Sequence, residues 1–530
     1  MKKLLICCAA LLSGTVLCAR SPIEGDDTSK TVWPTEFREV EISSSADGRI
    51  QKAYFYKTRS RKPQPLIVSL HTWSGDYAQK DPLTAEILAR DWNYIHPDFR
   101  GPNRRPEACG SPLVVSDIQD AIRYALENSH ADPRDVHIIG TSGGGYATLL
   151  CYMSLDYPVK SFTAGAPISD LEAWYWESLG RKQKYAADIA ASVSSHGTFD
   201  AAEARRRSPL YRPFPGGKRQ GAKLFINEGI HDGYTGSVPV THSIRMYNRL
   251  VRDMEPESGK EVTPEEIIDL VTKRCNPAAD TMHKLGGRTV WLRRTCGDVT
   301  LTLFEGGHEQ LPQAFSMLPI EGDTRDYRLR IFTIGDSNGN NPGGWVDQLK
   351  AALPQSDIYN LSQGGRTIGF DNNGREELNA LRNVDSYIAE ARKQPGGKYD
   401  FVIVCLGTND AKADFASRQE EVTANFEKLL DRIVKARLTG KTEGSLVFVT
   451  PPPMGTENML AKYAGGNERL GELVPKLKKI AEEKGFAVID VYHPLQKVFR
   501  TYAADGVHMS PAGQRIVSRK IVERIEELLK

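Results

Sequence analysis

Short apolar runs separated by Gly, Pro and polar clusters set the rhythm of this chain. Val40–Ser43 and Ala53–Tyr56 flank an Asp47-Gly48 turn and predict a hairpin. Leu66–Leu70, Asn93–His96, Val136–Ile139, Phe162–Ala166, Leu224–Asn227 and Leu301–Phe304 then read as buried strands. Ser116–Asn128, Tyr146–Leu155 and Val240–Val251 carry the wider apolar spacing of helices. Such alternation predicts an α/β fold, a mostly parallel sheet covered on both faces. The rhythm breaks at Leu318–Asp326, a polar stretch with Pro319 and Gly322. A second series follows: strands at Leu329–Ile334, Ile358–Leu361, Phe401–Leu406, Leu446–Thr450 and Ala487–Val491, with helices at Glu420–Lys435 and Pro511–Leu529. A chain of 530 residues also exceeds one ordinary core. We expect two domains, 35–318 and 328–530, joined by a linker at 319–327.

The N-terminus opens Met1-Lys2-Lys3, continues apolar from Leu4 to Leu17 and reaches Cys18-Ala19. This pattern predicts a secretory signal peptide over residues 1–19 and export to the periplasm or beyond. Leu17 before Cys18 is a poor match to a lipoprotein signal, so soluble export ranks above lipid anchoring. The run is short for a membrane span. A net charge of +2 offers no electrostatic footprint for nucleic acid or anionic membranes. Beyond the leader stand Cys109, Cys151, Cys275, Cys296 and Cys405, an odd set that leaves one unpaired within a monomer. Cys275 and Cys296 either form a disulfide or stay as buried free thiols. No CxxC or HExxH pattern points to a metal, and no cofactor is expected. The sequence leaves the oligomeric state open.

Two constellations carry chemistry. In the first, Gly140-Thr141-Ser142-Gly143-Gly144 lies between a predicted strand and a predicted helix. A tight strand-to-helix turn lifts a serine hydroxyl above a sheet, and the glycines allow close backbone approach. The partners follow in the order acid, then histidine: Asp232 after Leu224–Asn227, and His308 after Leu301–Phe304. Ser142 would attack an ester carbonyl, His308 would take and return the proton, and Asp232 would orient the imidazole. The oxyanion needs backbone donors, expected from Gly143 and from Thr72 or Trp73 in His71-Thr72-Trp73-Ser74-Gly75. His71 reads as a residue that holds this loop. Trp174 and Trp176 lie in a segment after a strand, where aromatic faces either bind a sugar or acyl group or pack a lid. Arg205-Arg206-Arg207 reads as a solvated helix end.

Over residues 35–318 the chain resembles the catalytic domain of prolyl-oligopeptidase-like and acetyl-xylan-esterase-like α/β-hydrolases. Pro97-Asp98-Phe99-Arg100-Gly101 and Val238-Pro239 are similar to that family's segments before the serine and after the acid. A charged helical stretch around Pro264–Arg274 lengthens the interval between Asp232 and His308 relative to the family. The chain has no room for the propeller that precedes the hydrolase in the family's peptidases, which favours an esterase.

The second constellation is Gly335-Asp336-Ser337, Asn360-Leu361-Ser362-Gln363-Gly364, Gly407-Thr408-Asn409-Asp410 and Asp505-Gly506-Val507-His508. The first three stand at ends of predicted parallel strands. This order resembles the SGNH/GDSL hydrolases over about 328–530, implying a flavodoxin-like domain with a parallel sheet. The resemblance implies Ser337 as nucleophile, His508 as base and Asp505 as its orienter. It also implies an oxyanion hole from the Ser337 and Gly364 amides and the Asn409 side chain. Asp336 and Asp410 read as structural parts of the motifs rather than a glycosidase pair. Asn338 replaces the usual leucine and opens a polar loop, Asn338-Gly339-Asn340-Asn341, which suggests a hydrophilic acyl acceptor.

Together the motifs resemble a tandem carbohydrate esterase. The expected function is removal of O-acetyl, and at the first site acetyl or feruloyl, groups from plant polysaccharides such as xylan or pectin. An acylated oligosaccharide or polysaccharide is the expected partner. A small-peptide peptidase in the first domain, and a glycan-binding role for one domain, are the alternatives.

Overall fold

In the computed structural model the described residues are 28–194, 198–276, 279, 284–285, 288–311, 318, 327–440, 445–457 and 459–529. The expected leader and all of the expected linker except Tyr327 lie outside them. The first domain begins with the hairpin β1 (Arg38–Ser43) and β2 (Ile50–Tyr56), followed by β3 (Gln64–Leu70), β4 (Asn93–Pro97) and β5 (Ala131–Thr141). It continues with β6 (Ser161–Gly165), β7 (Lys223–Gly229), β8 (Lys284–Leu285), β9 (Arg288–Cys296) and β10 (Val299–Phe304). They form one sheet in the order β1-β2-β4-β3-β5-β6-β7-β10-β9-β8. From β4 through β3, β5, β6 and β7 to β10 the pairing is parallel, and the outer strands on both flanks pair antiparallel. Every residue of β3 is buried, as expected of a central strand covered on both faces.

The second domain holds β11 (Arg330–Gly335), β12 (Asp357–Asn360), β13 (Phe401–Cys405), β14 (Leu446–Val449) and β15 (Ala487–Ile489). These make an all-parallel sheet in the order β12-β11-β13-β14-β15. The wholly buried Phe-Val-Ile-Val-Cys of β13 sits at its centre. Order reverses beside β11, the switch point where ligands bind in open α/β sheets.

The two units share packed surface. Ala89, on helix Thr84–Arg90 of the first domain, belongs to the apolar core that β11, β13 and helix Pro511–Leu528 build in the second. Buried Arg90 bonds both Glu86 and the Tyr502 hydroxyl, which also bonds Glu86. Trp92 lies under the guanidinium groups of Arg90 and Arg519. Gln64 with Arg519 and Lys62 with Glu526 complete the seam.

All five described cysteines are free, so the Cys275–Cys296 disulfide is not formed. Cys296 is sealed in the first core at the end of β9, whereas Cys275 follows the C-cap of helix Pro264–Lys273 and stays partly exposed.

Candidate active sites

The first site lies where loops leave the carboxyl ends of β5, β7 and β10. β5 ends at Thr141, and Ser142 turns the chain into helix Gly143–Ser154 with φ of 58°. A non-glycine residue at positive φ is strained, and such strain at this turn is what holds a hydroxyl clear of a sheet. The turn closes because position 143 is glycine: a Cβ there would lie 2.3 Å from Trp73 N. The backbone after Ser142 therefore abuts that of Trp73. Thr72 is ruled out as an oxyanion donor, because its N–H donates to Gln79 Oε1 at 2.8 Å while Gln79 Nε2 returns a bond to Thr72 Oγ1 at 2.9 Å. This correction rests on a residue seven positions away, and it leaves the Trp73 amide, beside Gly143, as the candidate.

Asp232 and His308 meet directly. His308 Nδ1–H donates to Asp232 Oδ2 at 2.6 Å, and Asp232 Oδ1 accepts the Gly233 and Val238 N–H groups at 2.8 and 3.1 Å. Parallel pairing of Phe304 with Gly229 brings the two loops together, and Gly236 lies against both side chains. The charged stretch before His308, helix Pro264–Lys273, does not separate them: it packs on helix Thr241–Met254, and Arg274 at its C-cap donates to the Ile230 and Asp232 carbonyls at 3.1 and 3.4 Å. Ser142, Asp232 and His308 are only 1%, 0% and 5% exposed.

Helices Leu171–Gly180 and Tyr185–Val193 cover this site. Trp174 is a correction to the expected stacking surface. It is fully buried, packs edge-on against Trp73 at 4.7 Å, stacks on Tyr185 and donates from Nε1 to the Ser237 carbonyl at 3.0 Å. Its ring is a wall of the lid. Trp176, by contrast, is 58% exposed beside Tyr175. Arg181, which the sequence did not single out, straps the lid to the acid loop through the carbonyls of Gly233, Gly236 and Ser237. His71 stacks on Phe99 and donates from Nε2 to the Asp98 carbonyl at 2.7 Å, which holds the neighbouring loop.

The second site is a continuous hydrogen-bonded chain. Ser337 Oγ–H donates to His508 Nε2 at 3.0 Å, and His508 Nδ1–H donates to Asp505 Oδ2 at 2.6 Å. Burial pushes the Asp505 carboxyl up, but the N–H of His508, its ring and the N–H of Val507 outweigh it and hold the acid below its usual range. Gly364 lies beside Ser337, with a position for Cβ 3.9 Å from the Ser337 Cβ. Asn409 spends one side-chain N–H on the Arg366 carbonyl at 3.1 Å, which leaves its second amide hydrogen for an oxyanion. Asp336 caps the short helix Ser337–Asn340 through Asn338 N–H, and burial raises its acid. Asp410 accepts Ile368 N–H and is pushed by burial up to about 7. Both carboxyls face inward and serve the backbone.

Asn338 also behaves differently from its expected role. It is buried, and its amide spans the histidine loop: Oδ1 accepts Gln514 Nε2 at 2.5 Å and Met509 N–H at 3.4 Å, and Nδ2 reaches the Val507 carbonyl at 3.5 Å. The exposed polar part of this loop is Asn340-Asn341.

Residues 331–516 match the GDSL-like lipase/acylhydrolase family, a span that holds Ser337, Asp505 and His508. Residues 113–266 match the prolyl oligopeptidase family, a span that holds Ser142 and Asp232. Two hydrolase families meet in one chain. The C-terminal unit is a GDSL-type esterase/acylhydrolase domain, and the N-terminal unit is a prolyl-oligopeptidase-like α/β-hydrolase domain. Among curated proteins, an isoamyl acetate-hydrolyzing esterase 1 homolog from Bos taurus is 28% identical over 141 residues, covering 24% of this chain and 55% of that protein. The match thus spans about half of that relative. Among solved structures, a carbohydrate acetylesterase from Sinorhizobium meliloti aligns with 38% of this chain and 100% of its own at 20% identity and TM-score 0.30. An acylaminoacyl peptidase from Pyrococcus horikoshii aligns with 41% of this chain and 35% of its own at 16% identity and TM-score 0.34. No helix among the described residues is long and apolar enough to cross a membrane.

Proposed function

We propose that this protein is an exported, bifunctional serine carbohydrate esterase, in which the GDSL-type domain removes O-acetyl groups from a plant polysaccharide such as xylan or pectin. The observation that carries the reading is the aligned Ser337–His508–Asp505 chain, with the Nε2 of a half-exposed histidine ready to accept the serine proton. Ser337 Oγ attacks the ester carbonyl while His508 takes its proton. Asp505 holds the imidazole, and the amides of Ser337, Gly364 and Asn409 receive the charge on oxygen. His508 then protonates the departing sugar oxygen, which leaves as the hydroxyl, and water releases acetate from the acyl-serine by the reverse path. His508 and Asp505 have side chains 38% and 53% exposed, which suits an alcohol that belongs to a bulky chain.

The first site would run the same chemistry through Ser142, His308 and Asp232, with the Gly143 and Trp73 amides as oxyanion donors. Its buried serine and histidine suit a small acyl group, acetate at another position, and the exposed Trp176 would serve a feruloyl group if that is the ester taken. The prolyl-oligopeptidase match favours a second reading for this domain, cleavage of small peptides.

The test is release of acetate and ferulate from acylated xylan and pectin oligosaccharides by the wild type, Ser142→Ala and Ser337→Ala. Each variant is expected to lose a different product by a factor of about 10³ or more. Full acetate release by Ser337→Ala sinks the assignment of the second site. Peptidyl-anilide turnover that tracks Ser142, without ester turnover, moves the first domain to the peptidases.

A further inference from the structure

Glu228 is a buried carboxyl with no place in the chemistry above. It sits on β7, fully buried, four residues ahead of Asp232. Neither of its carboxyl oxygens has a donor among the described residues. The groups that face it are the Asp232 carboxyl and the Ser243 hydroxyl, with the charge of Glu177 beyond. Glu177 is itself bonded to His242 Nε2 at 2.9 Å. The flanking strands β6, Ser-Phe-Thr-Ala-Gly, and β10, Val-Thr-Leu-Thr-Leu-Phe, bring no acid or base to the cluster. An isolated carboxylate in such a place is prohibitively costly, so the group keeps its proton. Burial first, then the Asp232 charge, holds the Glu228 acid well above the usual carboxylate range.

Asp232 has room for that proton. A carboxylate offers about four lone-pair sites, and Asp232 uses three, for the Gly233 N–H, the Val238 N–H and His308 Nδ1–H. We propose that Glu228 is a positioning residue of the first site, whose carboxylic acid donates a hydrogen bond to the Asp232 carboxylate and fixes it beneath His308. The buried pair then carries one negative charge, which matches the single positive charge on His308 after it takes the Ser142 proton. The Glu228 proton stays on its oxygen throughout, so no net transfer is added to the reaction. Asp232, held by four donors from three directions, cannot rotate away from the imidazole during turnover.

This proposal rests on the reading of Ser142 as a nucleophile, so the experiment uses the full chain carrying Ser337→Ala, which silences the second site. Turnover of p-nitrophenyl acetate is followed from pH 5 to pH 9, with phosphonylation of Ser142 by a fluorophosphonate as a second readout. Glu228→Ala is expected to lower kcat by about tenfold to 10²-fold with little change in KM, the scale of a misplaced catalytic group. Glu228→Gln is expected to restore kcat to within about threefold and to leave the acid limb in place, because the amide supplies the same donor at the same charge. An acid limb in Glu228→Gln that moves down by about one pH unit or more would show an ionised native Glu228 and overturn the proposal, since a lost negative neighbour disfavours the imidazolium. Parental kcat in Glu228→Ala would overturn it as well. If Ser142→Ala in the same background leaves turnover and labelling intact, the reading of the first site fails and the proposal falls with it.

Discussion

Single residues show how differently the two sites hold the same type of histidine. His308 and Asp232 are buried among packed loops, so geometry there is imposed from all sides. His508 stands partly in solvent, and its bonds to Asp505 are local to one loop. The register of that loop against Ser337 depends on groups outside it: the Gly455 N–H to the Gly506 carbonyl at 2.8 Å, the buried Val507 and Met509 side chains, and the amide of Asn338. Asn338→Leu leaves the Gln514 side-chain amide without its partner. The expected result is a loss of about 1–3 kcal/mol, the cost of an unsatisfied buried donor. It should appear as a lower urea midpoint at unchanged m, together with a several-fold fall in ester hydrolysis by the GDSL-type domain. An unchanged midpoint and rate would show that packing of Val507 and Met509 alone sets the loop.

Within elements, the turn from β5 into helix Gly143–Ser154 shows why the serine motif needs its glycines. A Cβ at 143 would meet Trp73 N and Cα at 2.3 and 2.4 Å, and these backbone atoms cannot yield as a flexible side chain can. Gly143→Ala is expected to push the Trp73 loop away and part the Gly143 and Trp73 amides, the proposed oxyanion donors. Loss of such a donor costs about 10²–10³ in turnover. Fluorophosphonate labelling should then disappear at Ser142 and persist at Ser337, read by peptide mass spectrometry. Loss at both serines would mean that the substitution unfolds the chain. The lid shows a complementary case, since a segment legible as aromatic-rich, for substrate or for lid packing, became two helices fastened by Arg181 to three carbonyls.

For the molecule as a whole, the seam between the domains is the main energetic question. Arg90 lies buried between Glu86 and Tyr502, with Trp92 beneath it. Removing one partner of a buried ion pair strands the other charge at a cost of about 3–5 kcal/mol. Arg90→Ala is therefore expected to uncouple the units. Calorimetry should show one unfolding transition for the wild type and two for the variant, with fluorophosphonate labelling of Ser142 and Ser337 unchanged at room temperature. Two transitions already in the wild type would show that the seam contributes little to cooperativity.

Much of this architecture was legible before folding. Apolar runs bounded by glycine located the central strands, because a strand buried on both faces has no polar face to show. Motif order placed Ser142, Ser337, Asp505 and His508 at strand ends or in loops, because a reacting group must stand clear of the sheet that carries it. What only the tertiary structure decided were the partnerships of distant side chains. Gln79 claims the Thr72 amide, Asn338 turns inward to Gln514, Trp174 is buried under Trp73, and Glu228 comes to rest against Asp232. Sequence determines which groups can donate, accept or pack, and local pattern shows where a strand ends. Which donor meets which acceptor depends on how strands and lids stack in space, and that is settled only when the whole core closes.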